Sequence, residues 1–141
     1  MTSMVAERTG GLVAWGTDQS YHPAWVPPEA RRDVVAVAAS GLLVMALKDD
    51  GSVVAWGSSR RDLSPAFSGL PPLASVAAGG SALLLSRDGR VFQRWTDGTD
   101  VALPFSPDGF LAIAAGWRHQ LALRTSGEVV AWGDNQNGEA T

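Results

Sequence analysis

Short apolar runs recur at a regular spacing along this 141-residue chain. Each period opens with a run that ends in small residues, and a second run follows in which apolar and other side chains alternate, as at Leu121 and Leu123. The opening runs are VVAVAA at 34–39, LASVAA at 73–78 and FLAIAA at 110–115. Alternation with a period of two indicates half-buried strands, and runs this short are typical of all-β proteins.

The tetrapeptide Val-Ala-Trp-Gly occurs three times, with its tryptophans at 15, 56 and 132. Trp95 falls between the last two, so the spacings are 41, 39 and 37 residues, which predicts one supersecondary unit per period. Their periodic recurrence predicts that Trp15, Trp56 and Trp132 are core residues. The copy around Trp95 is out of step by one residue. We interpret this as a shortened loop followed by a bulged strand or, alternatively, as Arg94 occupying the tryptophan position.

Each period also contains a turn that ends in glycine, at Gly51, Gly89 and Gly127. Glycine suits a hairpin loop that requires a positive φ. A weaker segment bounded by prolines closes the period and suits an edge strand, because proline removes a ladder donor. One period therefore predicts about four short antiparallel strands, which form the blade of a β-propeller. We predict an all-β partial β-propeller of about three four-stranded antiparallel blades.

This strand assignment divides the chain into a flexible N-terminal tail at 1–10 and propeller repeats over 11–141. The repeats are a partial blade at 11–33, full repeats at 34–72 and 73–109, and an incomplete repeat at 110–141. About three blades do not close a ring and leave apolar blade faces bare. We therefore predict a homo-oligomer or a fragment of a larger ring.

Composition and charge argue against several classes of function. The net charge of −3 argues against nucleic-acid binding, and no apolar run is long enough to cross a membrane. The absence of cysteine excludes disulfides, thiolate metal sites and cysteine nucleophiles. The start, MTSMVAERTGG, is not a signal peptide, which favours a cytoplasmic location and leaves secretion open if a signal peptide has been removed.

Catalytic material is scarce. The chain has two histidines, and we expect His119 to hold a loop in place and His22 to be a solvated loop residue. No motif for a metalloprotease, a serine nucleophile or a phosphate-binding loop is present. The sequence thus predicts a protein that is not an enzyme and that binds no cofactor or metal.

A surface for a protein partner fits the sequence better. Loops at one end of the strands gather Trp117 and Arg118, residue types that dominate binding hot spots. The alternative for Trp117 is that it packs over a neighbouring blade. The candidate partner-binding residues on this face are Trp117, Arg118, Tyr21, His22, Arg60 and Arg61.

The pattern VAxAAGxxHxLALxxDGxVVAWGxNxxG resembles the repeats of the regulator of chromosome condensation family. The cleanest copy runs from Leu111 to Gly138, and the resemblance covers roughly 10–141. Ser40 departs from it by replacing the glycine in the first copy, and the repeat histidine is absent from the first two copies. The wording is most similar to bacterial members, one of which is a secreted propeller that inhibits β-lactamases.

The resemblance implies a β-propeller, usually of ~7 blades. Family members act as exchange factors on small GTPases, as chromatin binders or as protein-binding rings. The resemblance therefore implies a non-enzymatic protein–protein interaction module. Three alternatives stay open: an inhibitor of a secreted enzyme such as a β-lactamase, a guanine-nucleotide exchange factor, and an enzyme on a propeller scaffold.

Overall fold

The computed structural model describes residues 2–6, 12–16, 26–40, 43–57 and 61–133, the first two ranges at the level of strand pairing. These residues form short strands and two 3-10 helices, at Pro28–Ala30 and Ser64–Phe67. In chain order the strands are β1 (Thr2–Ala6), β2 (Leu12–Gly16), β3 (Val34–Ala39), β4 (Val44–Lys48), β5 (Val53–Trp56), β6 (Leu73–Ala78), β7 (Ala82–Ser86), β8 (Val91–Arg94), β9 (Phe110–Ala115), β10 (His119–Arg124) and β11 (Val129–Gly133).

The strands form four antiparallel sheets in which sequence neighbours pair. We call β1–β2 the N-terminal sheet, β3–β4–β5 the first blade, β6–β7–β8 the second blade and β9–β10–β11 the third blade. The opening strands β3, β6 and β9 pack side by side, and β1 packs against β3. Sheets stacked through their opening strands are the architecture of a propeller, so the predicted all-β partial β-propeller is confirmed.

Backbone register confirms that the three tetrapeptides are equivalent. Each tryptophan stands opposite the residue that begins, or nearly begins, the preceding strand: Trp15 opposite Ser3, Trp56 opposite Val44, and Trp132 opposite Gln120. Trp56 and Trp132 are buried, as predicted for core residues. The side chain of Trp15 lies outside the described part of the chain, so its core position stays a prediction.

The second blade explains the copy that was out of step. Arg94 pairs with Ala82 and takes the tryptophan position, whereas Trp95 follows the strand and is 47% exposed. The shortened loop is also confirmed, because three residues (79–81) link the last pair of β6 and β7 where the first blade uses four. The predicted bulge in β8 is wrong, since its pairing with β7 is continuous.

Bulges lie instead in the opening strand of every blade. The register skips Val35 in β3, Ala74 in β6 and Leu111 in β9. All three skipped residues are exposed. A bulge leaves one residue without a cross-strand partner and increases the local twist, so the repeat sets both the strand pairing and the curvature of each blade.

The glycine turns follow the prediction. Gly51, Gly89 and Gly127 have φ of 87°, 88° and 92°. Each glycine N–H donates to the carbonyl three residues earlier, at 3.0 Å. A turn followed by a residue with positive φ gives a tight three-residue hairpin loop, which only glycine enters without strain.

The predicted fourth strand of each blade is reduced to less than a strand in the described residues. The connections that follow β5 and β8 make only the isolated bridges Trp56–Asp62 and Arg94–Asp100. In the connection after β5, Pro65 lies in the first turn of the 3-10 helix Ser64–Phe67 and cannot donate to a ladder. The blades are therefore three-stranded with a loosely paired outer segment.

The N-terminal end also differs from the prediction. Residues 2–6 lie within the segment predicted as a flexible tail at 1–10, yet they form β1 and pair with all of β2. An isolated β2 would expose its backbone donors and acceptors at an unpaired edge, and β1 satisfies them. β1 takes the place that β4 has in the first blade.

Apolar clusters fill the spaces between consecutive blades. The cluster between the first and second blades includes Met45 and Leu84, and that between the second and third includes Leu83 and Trp132. Backbone bonds of 2.9 Å join the same blades, from the N–H of Leu73 to the carbonyl of Gly51 and from that of Phe110 to the carbonyl of Gly89. The hairpin glycines thus also anchor the next blade.

Candidate partner-binding face

Several loops emerge at one end of the second and third blades. They are the loop 79–81 between β6 and β7, the hairpin 95–99 after β8, and the loop 116–118 between β9 and β10. Arg61 follows β5 at the same end of the first blade. We call these residues the loop face, which corresponds to the face that the sequence predicted for a partner.

Close backbone approach fixes the loop that carries Trp117. A Cβ added to Gly79 would lie 1.9 Å from the carbonyl oxygen of Gly116, and one added to Gly80 would lie 2.5 Å from that of Trp117. Only glycine allows two backbones to come this near. The loops of the second and third blades are therefore packed against each other, and the backbone that carries Trp117 has little freedom to move.

His119 completes the same loop. Its backbone carbonyl accepts a 2.8 Å hydrogen bond from the N–H of Gly116. A Cβ on Gly116 would lie 3.2 Å from the imidazole, so the ring packs directly over the glycine. This arrangement fits the loop-holding role expected from the sequence.

Trp117 itself projects from this rigid support. It is 57% exposed, so it is not packed beneath a neighbouring blade in the described structure. Arg118 beside it is also exposed. An exposed tryptophan on an ordered backbone offers a large apolar surface at a small entropic cost of binding.

Trp95 is a second exposed tryptophan on the loop face. Its N–H and carbonyl form the ends of a hairpin, bonding to the carbonyl of Thr99 and the N–H of Gly98, each at 3.0 Å. Within the hairpin the carboxylate of Asp97 accepts a 2.9 Å bond from the N–H of Thr99. That bond, and to a lesser degree the Thr99 side chain, lowers the pKa of Asp97 below its usual value of 3.8.

Sequence reasoning did not include Trp95 among the candidate residues. The signal was available, because Trp95 is displaced by one residue from the core position that Trp56 and Trp132 occupy. A one-residue shift along a strand moves a side chain to the other face. Here the shift carries Trp95 beyond the end of β8 and onto the loop face.

A buried chain of hydrogen bonds lies beneath the loop face. The indole N–H of Trp132 donates to Oε1 of Gln93 at 2.9 Å, and Nε2 of Gln93 donates to Oγ of Ser81 at 2.9 Å. Gln93 is 6% exposed and stands where the tetrapeptide copies have alanine. It joins the loop 79–81 of the second blade to the core of the third.

An open groove of about 620 Å³ separates the first and second blades at this end. Arg94 lines it, but its guanidinium is bound, with Nε 2.7 Å from Oδ1 of Asp100 and Nη1 donating to the carbonyl of Ser68 at 2.8 Å. Arg61 and Asp97 give the groove both signs of charge. The groove is therefore a polar flank beside the exposed tryptophans.

The predicted site residues are only partly brought together. Trp117, Arg118 and Arg61 lie on the loop face, whereas Tyr21, His22 and Arg60 lie outside the described residues. Across the described residues no three His, Asp or Glu side chains cluster in a way that could hold a metal ion. In the same part of the chain, no helix has the length and apolarity to cross a bilayer.

Known proteins share both the repeat sequence and the fold of this chain. Residues 110–139 match the family model of the regulator of chromosome condensation (RCC1) repeat. This segment includes Trp117, Arg118, His119 and all of β10 and β11. No curated protein matches the chain.

Solved structures share the architecture at low identity. Human WBSCR16 matches at 20% identity with a TM-score of 0.71, over 95% of this chain and 46% of its own. Saccharomyces cerevisiae Prp20p, described with its binding properties to Gsp1p and histones, matches at 18% and 0.68, over 94% and 43%. The CRINKLY WD40 ectodomain of the Arabidopsis thaliana receptor kinase ACR4 matches at 20% and 0.67, over 99% and 48%.

The chain spans less than half the length of these three solved chains. Identities of this size establish the fold and not the activity. The matched repeat coincides with the third blade, and the other two blades have the same strand order and nearly the same register. Residues 110–139 therefore carry a regulator of chromosome condensation repeat, and the described part of the chain has the fold of a partial β-propeller.

Proposed function

We propose that the chain is a non-enzymatic protein-binding module whose loop face contacts the partner. The observation that carries the proposal is Trp117, 57% exposed on a loop that glycine contacts lock to the second blade. Trp95, 47% exposed, adds a second aromatic surface at the same end. Tryptophan and arginine are enriched among the residues that supply most of the energy of protein interfaces.

Protein partners of this fold support the proposal. Prp20p is described with its binding properties to Gsp1p and histones, so Gsp1p and histones are the first probes. A β-lactamase is the third probe, since the sequence resembles a propeller that inhibits such enzymes. The geometry of the loop face favours none of the three over the others.

Binding measurements with these purified probes test the proposal. Biolayer interferometry would compare the unmodified chain with Trp117→Ala, Trp95→Ala and a control, Val35→Ala. Val35 is 60% exposed but sits at the bulge of β3, away from the loops. We expect at least one probe to bind and Trp117→Ala to weaken it by about tenfold or more, with Val35→Ala unchanged.

Two results would count against the proposal. One is that none of the probes binds and that proteins captured from a cell extract are the same for Trp117→Ala as for the unmodified chain. The other is that a probe binds with the same affinity for Trp117→Ala, Trp95→Ala and Val35→Ala. Circular dichroism of each variant would establish that it is folded.

As the sequence predicted, the chain is also proposed to associate with further copies of itself or to be a fragment of a larger ring. A cytoplasmic location is proposed on the sequence alone. Neither proposal depends on the loop face.

A further inference from the structure

The third blade exposes a face that the other two blades bury. Side chains of β9, β10 and β11 that point away from the second blade form this surface, which we call the open face. Its members, by strand register, are Ala112, Ala114, Leu121, Leu123, Val129 and Ala131. They are all apolar, and an apolar sheet face of this size is typically covered in a folded protein.

Equivalent positions show that the exposure arises because no following blade packs on this face among the described residues, and not because the repeat itself differs. Leu121 pairs with Ala131 as Met45 pairs with Ala55 and Leu83 with Gln93. Met45 and Leu83 are both 0% exposed, whereas Leu121 is 37% exposed. Likewise Val91 of the second blade is 1% exposed and Val129 of the third is 62% exposed.

A second set of positions serves as an internal control. Val35 and Leu111 occupy the bulge of β3 and β9 and are 60% and 61% exposed. The exposure is the same whether or not a following blade is packed on the sheet. Exposure of Leu121 and Val129 is therefore specific to the open face.

The two blade junctions show what kind of surface covers such a face. In each, the opening strand of the following blade packs on it, and a backbone N–H of that strand donates to the hairpin glycine, Leu73 to Gly51 and Phe110 to Gly89. Gly127 holds the same place in the third blade, with a φ of 92°. Its carbonyl has no following blade among the described residues.

We infer that the open face is an interface for a second copy of this chain, which docks on it as the next blade. The occupant must present apolar side chains, because the open face has no charged residue. It must also present strand N–H groups, because such groups donate to the equivalent glycines at the two blade junctions. At the other end of the stack, the N-terminal sheet has blade register, with Trp15 opposite Ser3 as Trp56 is opposite Val44. A head-to-tail contact between two copies therefore continues the stack already present within one copy.

The number of sheets agrees with a closed assembly. The described residues of one chain form four sheets. Two copies bring about eight, which is within the range of about 4–8 blades of known propellers. A heterologous contact that closes after two copies makes a ring. This surface is distinct from the loop face. The inference rests on the proposed self-association, which it locates on the open face, and it stands or falls separately from partner binding at the loop face.

Light scattering coupled to gel filtration tests the inference on the full chain. We expect a mass of about twice 14.8 kDa at tens of micromolar. Val129→Lys should shift the chain to the monomer and weaken association by about 30-fold or more, because a charge would be buried in the contact. Val35→Lys is the matched control, since both valines are about equally exposed, at 62% and 60%.

Three outcomes would overturn the inference: a monomer for the unmodified chain, an assembly that Val129→Lys and Leu121→Lys leave intact, or an assembly that Val35→Lys disrupts as strongly. Val129→Lys is exposed in one copy, so it should stay folded, which circular dichroism verifies. Trp117→Ala should leave the mass unchanged. Loss of partner binding with an intact mass, or the reverse, separates the loop face from the open face.

Discussion

The second and third blades have the same strand order and nearly the same register but different surroundings. The second blade is packed on both sides, and its central strand β7 is buried at every position. The third blade is packed on one side, and β10 alternates between buried and exposed or half-buried positions. The repeat therefore fixes the backbone geometry, whereas the neighbouring blades decide how much each position contributes to the free energy of unfolding.

The largest expected effect compares Leu83 with Leu121, which are equivalent in register. Leu83→Ala removes a side chain that is 0% exposed and should lower the free energy of unfolding by about 2–5 kcal/mol. Leu121→Ala, 37% exposed, should cost about 1 kcal/mol or less at concentrations where the chain is monomeric. Urea unfolding measures both, and equal costs would contradict the proposed stacking.

Next in size is the hydrogen bond that joins the two blades. Gln93→Ala leaves the buried indole N–H of Trp132 without its partner and should cost about 1–3 kcal/mol. Trp132→Phe removes the donor, so the double variant should cost less than the sum of the two single variants. A double-mutant cycle by thermal or urea unfolding measures the coupling. Additive costs would mean that the two side chains do not interact.

A smaller effect distinguishes the two hairpin glycines, Gly89 and Gly127. Both have a positive φ, of 88° and 92°, so alanine should cost about 1–2 kcal/mol at either site. A Cβ on Gly89 also lies 3.1 Å from the carbonyl of Phe110, whereas one on Gly127 has no atom within 4 Å. Gly89→Ala should therefore be the more destabilising in unfolding experiments. The opposite order would argue against the packing of β9 on the second hairpin.

The smallest effect concerns pH. The hydrogen bond from Thr99 lowers the pKa of Asp97. This carboxylate therefore stabilises the hairpin 95–99 at pH values above its unfolded-state pKa of 3.8. The contribution is lost as the pH falls through the lower, folded-state pKa. The turn between β10 and β11 lies at a different place in the blade from the hairpin 95–99. Its Glu128 N–H bonds to the hydroxyl of Ser126, which does not titrate, so this turn should not respond. A carboxyl NMR titration that gives Asp97 a pKa at or above 3.8 would contradict this.

Much of the fold could be predicted from the sequence because the repeated residues determine backbone geometry. Gly51, Gly89 and Gly127 identify the turns, and the tetrapeptide fixes the register of the strand that follows. The predictions of a fourth strand and of a flexible tail were wrong for reasons that depend on tertiary structure. A 3-10 helix replaces the proline-bounded strand at Ser64–Phe67, and β1 pairs with β2.

The candidate site was less predictable. Trp117 could be chosen because it stands off the repeat pattern, and its exposure agrees with that choice. Trp95 was overlooked because a one-residue offset decides whether a tryptophan is core or surface. The hydrogen bond between Gln93 and the next blade could not be predicted from the sequence. Its donor is the indole N–H of Trp132, which is 39 residues away along the chain.

Proton NMR of the indole groups tests the stacking of consecutive repeats most directly. The indole N–H of Trp132, assigned with Trp132→Phe, should show nuclear Overhauser contacts to the side-chain amide of Gln93 and exchange slowly with water, because the two groups are buried 2.9 Å apart between the blades. An indole N–H of Trp132 that exchanges rapidly and has no contact with the second blade would contradict the account.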